Sequence, residues 1–220
     1  MKRKVVIALM IIIVTCASLV LAVSISPIKE LDNISIGSSK KPIILMVVDS
    51  LMSEPLQKVI EEGKAPAFEF LITNGHFNEE MISSYPTMSV TIDSTLLTGT
   101  YSDVHKVPGL IWFKEDENRM ISYGSGFREI WNNGIKNVAL DSVIHLNENH
   151  LSKEVRTIHE ELANRNLSSA SINGLLYRGS FKQQLNVPRI ISMTKLLPKE
   201  PEINGPTVFS LGTLSQYNKE

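Results

Sequence analysis

Ile43-Ile44-Leu45-Met46-Val47-Val48-Asp49-Ser50 places six apolar residues in a row and closes them with a carboxylate. An apolar run without alternation is expected of a strand covered on both faces, as in a parallel sheet layered between helices. In such a sheet ligands collect beyond the carboxyl ends of the strands, so Asp49 stands where chemistry is done. The same position also suits a cap for the next helix. Working outward, a helix is predicted with Ser53 as cap, Leu56, Val59 and Ile60 on one face, and Gly63 as its stop. A second helix fits residues 66–74, with Phe70 and Leu71 facing inward and Gly75 ending it.

Further strands are predicted over 81–84, 135–140, 169–172 and 207–211. Helices are predicted over 90–97, closed by Thr98-Gly99, and over 152–166, with Val155, Ile158 and Leu162 on the buried side. This alternation predicts an α/β fold over residues 42–220: a layered domain with a mostly parallel sheet flanked by helices.

Ahead of it, Lys2, Arg3 and Lys4 precede a run over 5–25 with no acidic or basic side chain. That pattern is a signal-anchor or a cleaved signal peptide, and residues 26–41 read as a linker. Either reading puts the domain outside the cytoplasm, as a single-pass cell-membrane protein or a secreted one. The 22 Lys and Arg against 23 Asp and Glu leave no basic excess for a nucleic-acid polymer. One cysteine, Cys16, excludes an internal disulfide and Cys-based zinc sites, so any metal must use oxygen and imidazole ligands.

Ser89 ends Tyr85-Pro86-Thr87-Met88-Ser89 where a helix pattern starts. A hydroxyl there meets free backbone N–H groups and the positive end of the helix dipole, which suits a nucleophile at a phosphoryl group and equally an ordinary cap. Taken with Leu96-Leu97-Thr98-Gly99-Thr100-Tyr101 and His105, these stretches resemble the type I phosphodiesterase/nucleotide pyrophosphatase branch of the alkaline phosphatase superfamily. The resemblance implies that Asp49 and the Ser89 oxygen bind one of two zinc ions. It also implies that Ser89, nine residues before Thr98-Gly99, attacks phosphorus in place of its neighbours Thr87 and Thr91. The implied activity is metal-dependent hydrolysis of small phosphorylated substrates, esters or diesters. A catalytically inactive fragment or tethered binding domain, and a glycerol-phosphate-type transferase, are the alternatives.

The sequence also departs from that pattern. Val90-Thr91-Ile92-Asp93 stands where many relatives have aromatic-Pro-Asn-His, and Leu110 falls where the family has a phosphate-contacting Asn. The family's adjacent Asp-His pair does not occur. Asp141 and His145 have an Asp-x3-His spacing like one family ligand pair but lie only 52 residues past Ser89, so a metal pair stands against a structural reading. The resemblance covers the amino-terminal part of the family's domain, and the chain is expected to be incomplete relative to it, lacking a C-terminal half. His105 is open between substrate-side and structural roles. His159-Glu160-Glu161 starts like a zinc-protease helix but Ala163 stands where the second histidine is needed, which argues against metal binding by His150 and His159. Trp112, Phe113 and Trp131 read as core or crevice lining, Gly124-Ser125-Gly126 as a turn, and the charges over 114–119 as a solvated hairpin tip.

Overall fold

Gly63 and Gly99 each end a helix in the left-handed region, with φ of 67° and 69°, a conformation glycine adopts without a Cβ penalty. The first of those helices is α1 (Ser53–Glu61), followed by α2 (Pro66–Asn74); Gly99 closes α3 (Ser89–Thr98). A short turn of helix, α4 (Ser102–His105), leads into the antiparallel hairpin β1 (Ile111–Lys114) and β2 (Arg119–Ser122). Then come α5 (Phe127–Asn133), α6 (Ile135–Leu140) and a π-helix over Asp141–His150 that continues α6 without a break. The chain goes on through α7 (Ile158–Asn164), β3 (Ala170–Ile172), β4 (Phe181–Gln184), α8 (Arg189–Met193), β5 (Glu202–Gly205), β6 (Val208–Leu211) and β7 (Leu214–Tyr217). This computed structural model describes residues 42–217 apart from 125 and 213. The expected membrane-directed segment (1–25) and linker (26–41) lie outside the described residues. Among the described residues no helix is long and apolar enough to cross a membrane.

The fold is mixed α/β, but the expected mostly parallel sheet is not what forms. Among the described residues the strands make three small sheets, β1-β2, β3-β6-β7 and β4-β5, and the single parallel pairing is β3 with β6. Residues 43–48 run as exposed chain with no ladder, Ile43 being 95% exposed. A strand covered on both faces needs neighbours on both edges, and no described strand pairs with this one. Residues 81–84 likewise form no strand, and 135–140 is helical because it is continuous with the π-helix. Phe70, Leu71, Ile158 and Trp131 are exposed, not inward. Ser53 is the first residue of α1 and makes no cap bond; its hydroxyl donates to the Glu79 carbonyl. The predicted helix over 152–166 is shorter, because the Thr157 and Glu160 capping box sets its start at Ile158.

Two apolar clusters flank the π-helix. Val90, Val107, Ile121, Tyr123, Leu146, Leu151 and Leu176 form one; Tyr177, Leu185, Val187, Leu197, Ile203 and Phe209 form the other, with Val143 and Ile144 packed against it. Leu110 packs on the first cluster, where an apolar side chain is at home. Polar bonds hold the seam. Asn147 Oδ1 accepts from the Tyr177 and Arg178 amides while its Nδ2 donates to Leu175 O, and Glu148 takes the Asn204 amide and side chain.

Gly179 lies where backbone meets backbone: a Cβ there would overlap the Gly205 carbonyl and come within 2.6 Å of Pro206 N. Neither neighbour is a side chain that can swing away. Gly179→Ala is therefore expected to cost about 3 kcal/mol and lower Tm by roughly 6–12 °C, read by thermal unfolding followed by circular dichroism.

Candidate active site

Three fully buried residues, Val90, Thr91 and Ser94, fix α3 in the first core, so its N-terminal residue is turned outward. Ser94 Oγ donates to Val90 O at 2.7 Å, and Thr98 Oγ1 to Ser94 O at 2.6 Å, which settles these hydroxyls within the helix. Ser89 remains exposed at the N-terminus of the helix. Its Oγ donates to Asp49 Oδ1 at 3.2 Å, joining residues 40 apart in sequence. Asp49 reaches this position from the end of the extended apolar segment, just before Ser50, whose φ of 58° is unusual for a non-glycine residue. Such outliers concentrate at functional sites. Thr91 is completely buried, so of the hydroxyls near Ser89 it has no access to substrate.

Asp93, one helical turn beyond Ser89, joins the pair. Partial burial first, and the charge of Asp49 second, push its carboxyl above the usual range. The i,i+4 spacing from Ser89 is the signal by which sequence alone would have found it. The site thus gathers a hydroxyl and two carboxyls at the positive end of a ten-residue helix.

The implied metal fits this pair. Two oxygen ligands of a tetrahedral zinc ion with bonds near 2.0 Å sit about 3.3 Å apart, and the Ser89 and Asp49 oxygens are 3.2 Å apart. That supplies one edge of one ion's shell. Among the described residues, no group of three His, Cys, Asp or Glu gathers at that edge.

His105 is fully buried. Its Nδ1 accepts from the Val107 amide at 3.1 Å, which leaves Nε2 to meet Thr95 Oγ1 at 3.3 Å. It ties the turn after α3 back to the helix and so plays a structural part. His150 and His159 do not meet: His159 pairs with Ser169 Oγ at 3.1 Å.

A second polar cluster lies where the hairpin touches the π-helix. Asp141 is 1% exposed; Arg119 clasps both its oxygens at 2.7 Å, and His145 Nδ1 lies 3.0 Å from Oδ1. Burial alone would raise the Asp141 carboxyl, but the hydrogen bonds from Arg119 and His145 outweigh it and bring it to about 2. Burial pushes His150 down to about 4 despite the nearby Asp141 and Glu117 charges. The hairpin tip is solvated at Asp116, but Glu117 and Arg119 turn inward to this cluster, contrary to a wholly solvated tip.

These shifts fix a pH dependence. His105, His150 and His159 are all held below their ordinary value, first by burial, so the unfolded chain binds protons that the native state refuses. The stability they contribute is present above pH 6.5 and is lost on acidification, for His150 down to about pH 4. Below the ordinary carboxylate range Asp141 adds a further loss. Urea unfolding between pH 7 and 4 is expected to show stability falling by about 1.4 kcal/mol per pH unit for each proton taken up.

Residues 43–173 match the family model described as type I phosphodiesterase / nucleotide pyrophosphatase. No curated protein gives a match, and neither does any solved structure. The matched stretch is more than half of the chain and contains both partners of the Ser89–Asp49 bond, so this protein belongs to the type I phosphodiesterase / nucleotide pyrophosphatase family.

Proposed function

We propose that the chain is a metal-dependent hydrolase of small phosphate esters or diesters, with Ser89 as nucleophile and Asp49 as a metal ligand. The observation that carries this reading is the 3.2 Å bond from Ser89 Oγ to Asp49 Oδ1 at the N-terminus of α3. Asp49 orients the hydroxyl and offers an acceptor for its proton. The helix N-terminus favours the phosphoryl group in front of Ser89. Ser89 Oγ forms the bond to phosphorus as the ester oxygen leaves, and water then frees the phosphoryl group from the serine. Asp49 and Ser89 would hold a divalent ion of the zinc type, which would supply Lewis-acid stabilisation of the charge that develops during transfer. The exposure of the pair suits a substrate that arrives from solvent. The basic start and apolar run of residues 1–25 support placement outside the cytoplasm, on a membrane anchor or secreted.

The test is release of nitrophenol from nitrophenyl phosphate and from bis-nitrophenyl phosphate by the purified chain, with added zinc or manganese. Release is expected to stop on chelation and return with the metal. A rate that chelation leaves untouched, or no release from either ester, contradicts the proposal.

A further inference from the structure

The π-helix puts three metal-binding side chain types on one face. Asp141, His145 and His150 follow at intervals of four and five residues. At 3.6 residues per turn the third would point roughly half a turn away from the first. At the roughly 4.4 residues per turn of a π-helix, all three fall within about 50° of one another. Their ligand atoms indeed lie within 4.8 Å of one another. π-helices are rare, occur mostly as single turns and are frequent at functional sites; this one runs for ten residues.

The second observation is an orphaned atom. His150 has a side chain wholly shut from solvent, and its Nε2 has no hydrogen-bond partner. Burial of an unpaired polar nitrogen is costly, and buried groups of this kind call for a partner or an ion. Its other nitrogen, Nδ1, is engaged with Tyr123 Oη at 2.9 Å, the kind of outer bond that fixes the ring of a metal-ligating histidine. Glu117 Oε1, from the turn between β1 and β2, lies 3.5 Å from Nε2, close to the spacing of two ligands on a tetrahedral ion. Arg119 holds the outer sides of both carboxylates: it binds Glu117 through Oε2 and Asp141 through both oxygens. That leaves Glu117 Oε1 3.5 Å from His150 Nε2 and 3.8 Å from Lys114 Nζ, while Asp141 Oδ1 still reaches His145 at 3.0 Å. A carboxylate has about four lone-pair sites, so the Arg119 bonds do not exhaust Asp141.

We propose that Glu117, Asp141, His145 and His150 form a binding site for a divalent ion of the zinc class, distinct from the Asp49–Ser89 pair, that clamps the β1-β2 hairpin to the π-helix. Two imidazoles with two carboxylates select zinc, cobalt or nickel over calcium and magnesium, which want oxygen alone. Metal ligands must be free of protons, so protons compete with the ion and binding weakens on acidification. His145 and Glu117 are each about one-third exposed and give the ion its way in.

The experiment uses the untagged full chain carrying Asp49→Ala and Ser89→Ala, so that the proposed catalytic pair contributes no binding, and zinc alone as the probe. Equilibrium dialysis with metal analysis is expected to find one zinc per chain, and zinc is expected to raise Tm. His145→Gln in that background removes one ligand at a partly exposed position. It is expected to weaken zinc at least tenfold and to abolish the Tm rise, while leaving the circular dichroism of the metal-free protein unchanged. A parent chain that retains no zinc, or a His145→Gln chain that binds it as tightly as the parent, overturns the proposal. Neither outcome bears on Ser89, which is absent from both proteins.

Discussion

Ser89→Ala is expected to lower kcat/KM for a nitrophenyl phosphodiester by about a thousandfold or more while leaving Tm within about 1 °C of the parent. The activity loss follows because Ser89 is the hydroxyl that meets Asp49, while within α3 Thr91 is completely buried and Ser94 and Thr98 bond to backbone carbonyls. Loss of a nucleophile removes the covalent route, and effects of this class are among the largest seen in mutant kinetics. The stability is untouched because the Ser89 side chain is exposed and makes no cap bond to the helix. Surface changes away from caps and buried networks stay within about 0.5 kcal/mol. Steady-state kinetics and a thermal melt on the same preparation check both halves; an Ala variant with half the parent activity contradicts the nucleophile assignment.

Arg178→Ala is expected to destabilise the fold by about 3–5 kcal/mol, with a Tm lower by roughly 10 °C or more. Arg178 is 2% exposed, and its guanidinium donates to the carbonyls of Leu151, Ser152 and Val155 and to both oxygens of Glu160. Removing it strands three carbonyls and leaves Glu160 without its counter-charge, a penalty well above the worth of any one of those bonds. The loss is not local. Glu160 also closes the capping box at Thr157, and Thr157 Oγ1 donates to the Arg178 carbonyl, so the loop over 151–157 and the start of α7 loosen together. Arg178→Lys, which keeps one charge but cannot span three carbonyls, is expected to recover only part of the loss. Chemical denaturation midpoints of the three proteins check this order.

The sequence made the helices over 53–98 legible because their signals are local or strongly patterned, whereas the pairing of Ser89 with Asp49 is implied by the family resemblance. Gly63, Gly99 and Pro66 mark helix ends through backbone chemistry alone, and α3 begins at Ser89, one residue before the helix predicted over 90–97. The strand over 43–48 misled because an apolar run says only that a segment prefers burial, not that neighbours exist to cover it. Residues 135–140 misled for a related reason: six mostly apolar residues fit a strand or a helix, and continuity with the π-helix decides. The cluster around Asp141 was only half legible. Asp141 and His145 share a helical spacing, but His150 joins them only in a π-helix, and Glu117 and Arg119 arrive from a hairpin that tertiary packing places there.

The most direct measurement is acid quenching of the chain during turnover of a nitrophenyl phosphodiester with zinc, followed by peptide mass analysis. The predicted result is a phosphoryl adduct on Ser89, absent from Asp49→Ala. An adduct on another residue, or turnover with none on Ser89 at any quench time, contradicts the assignment.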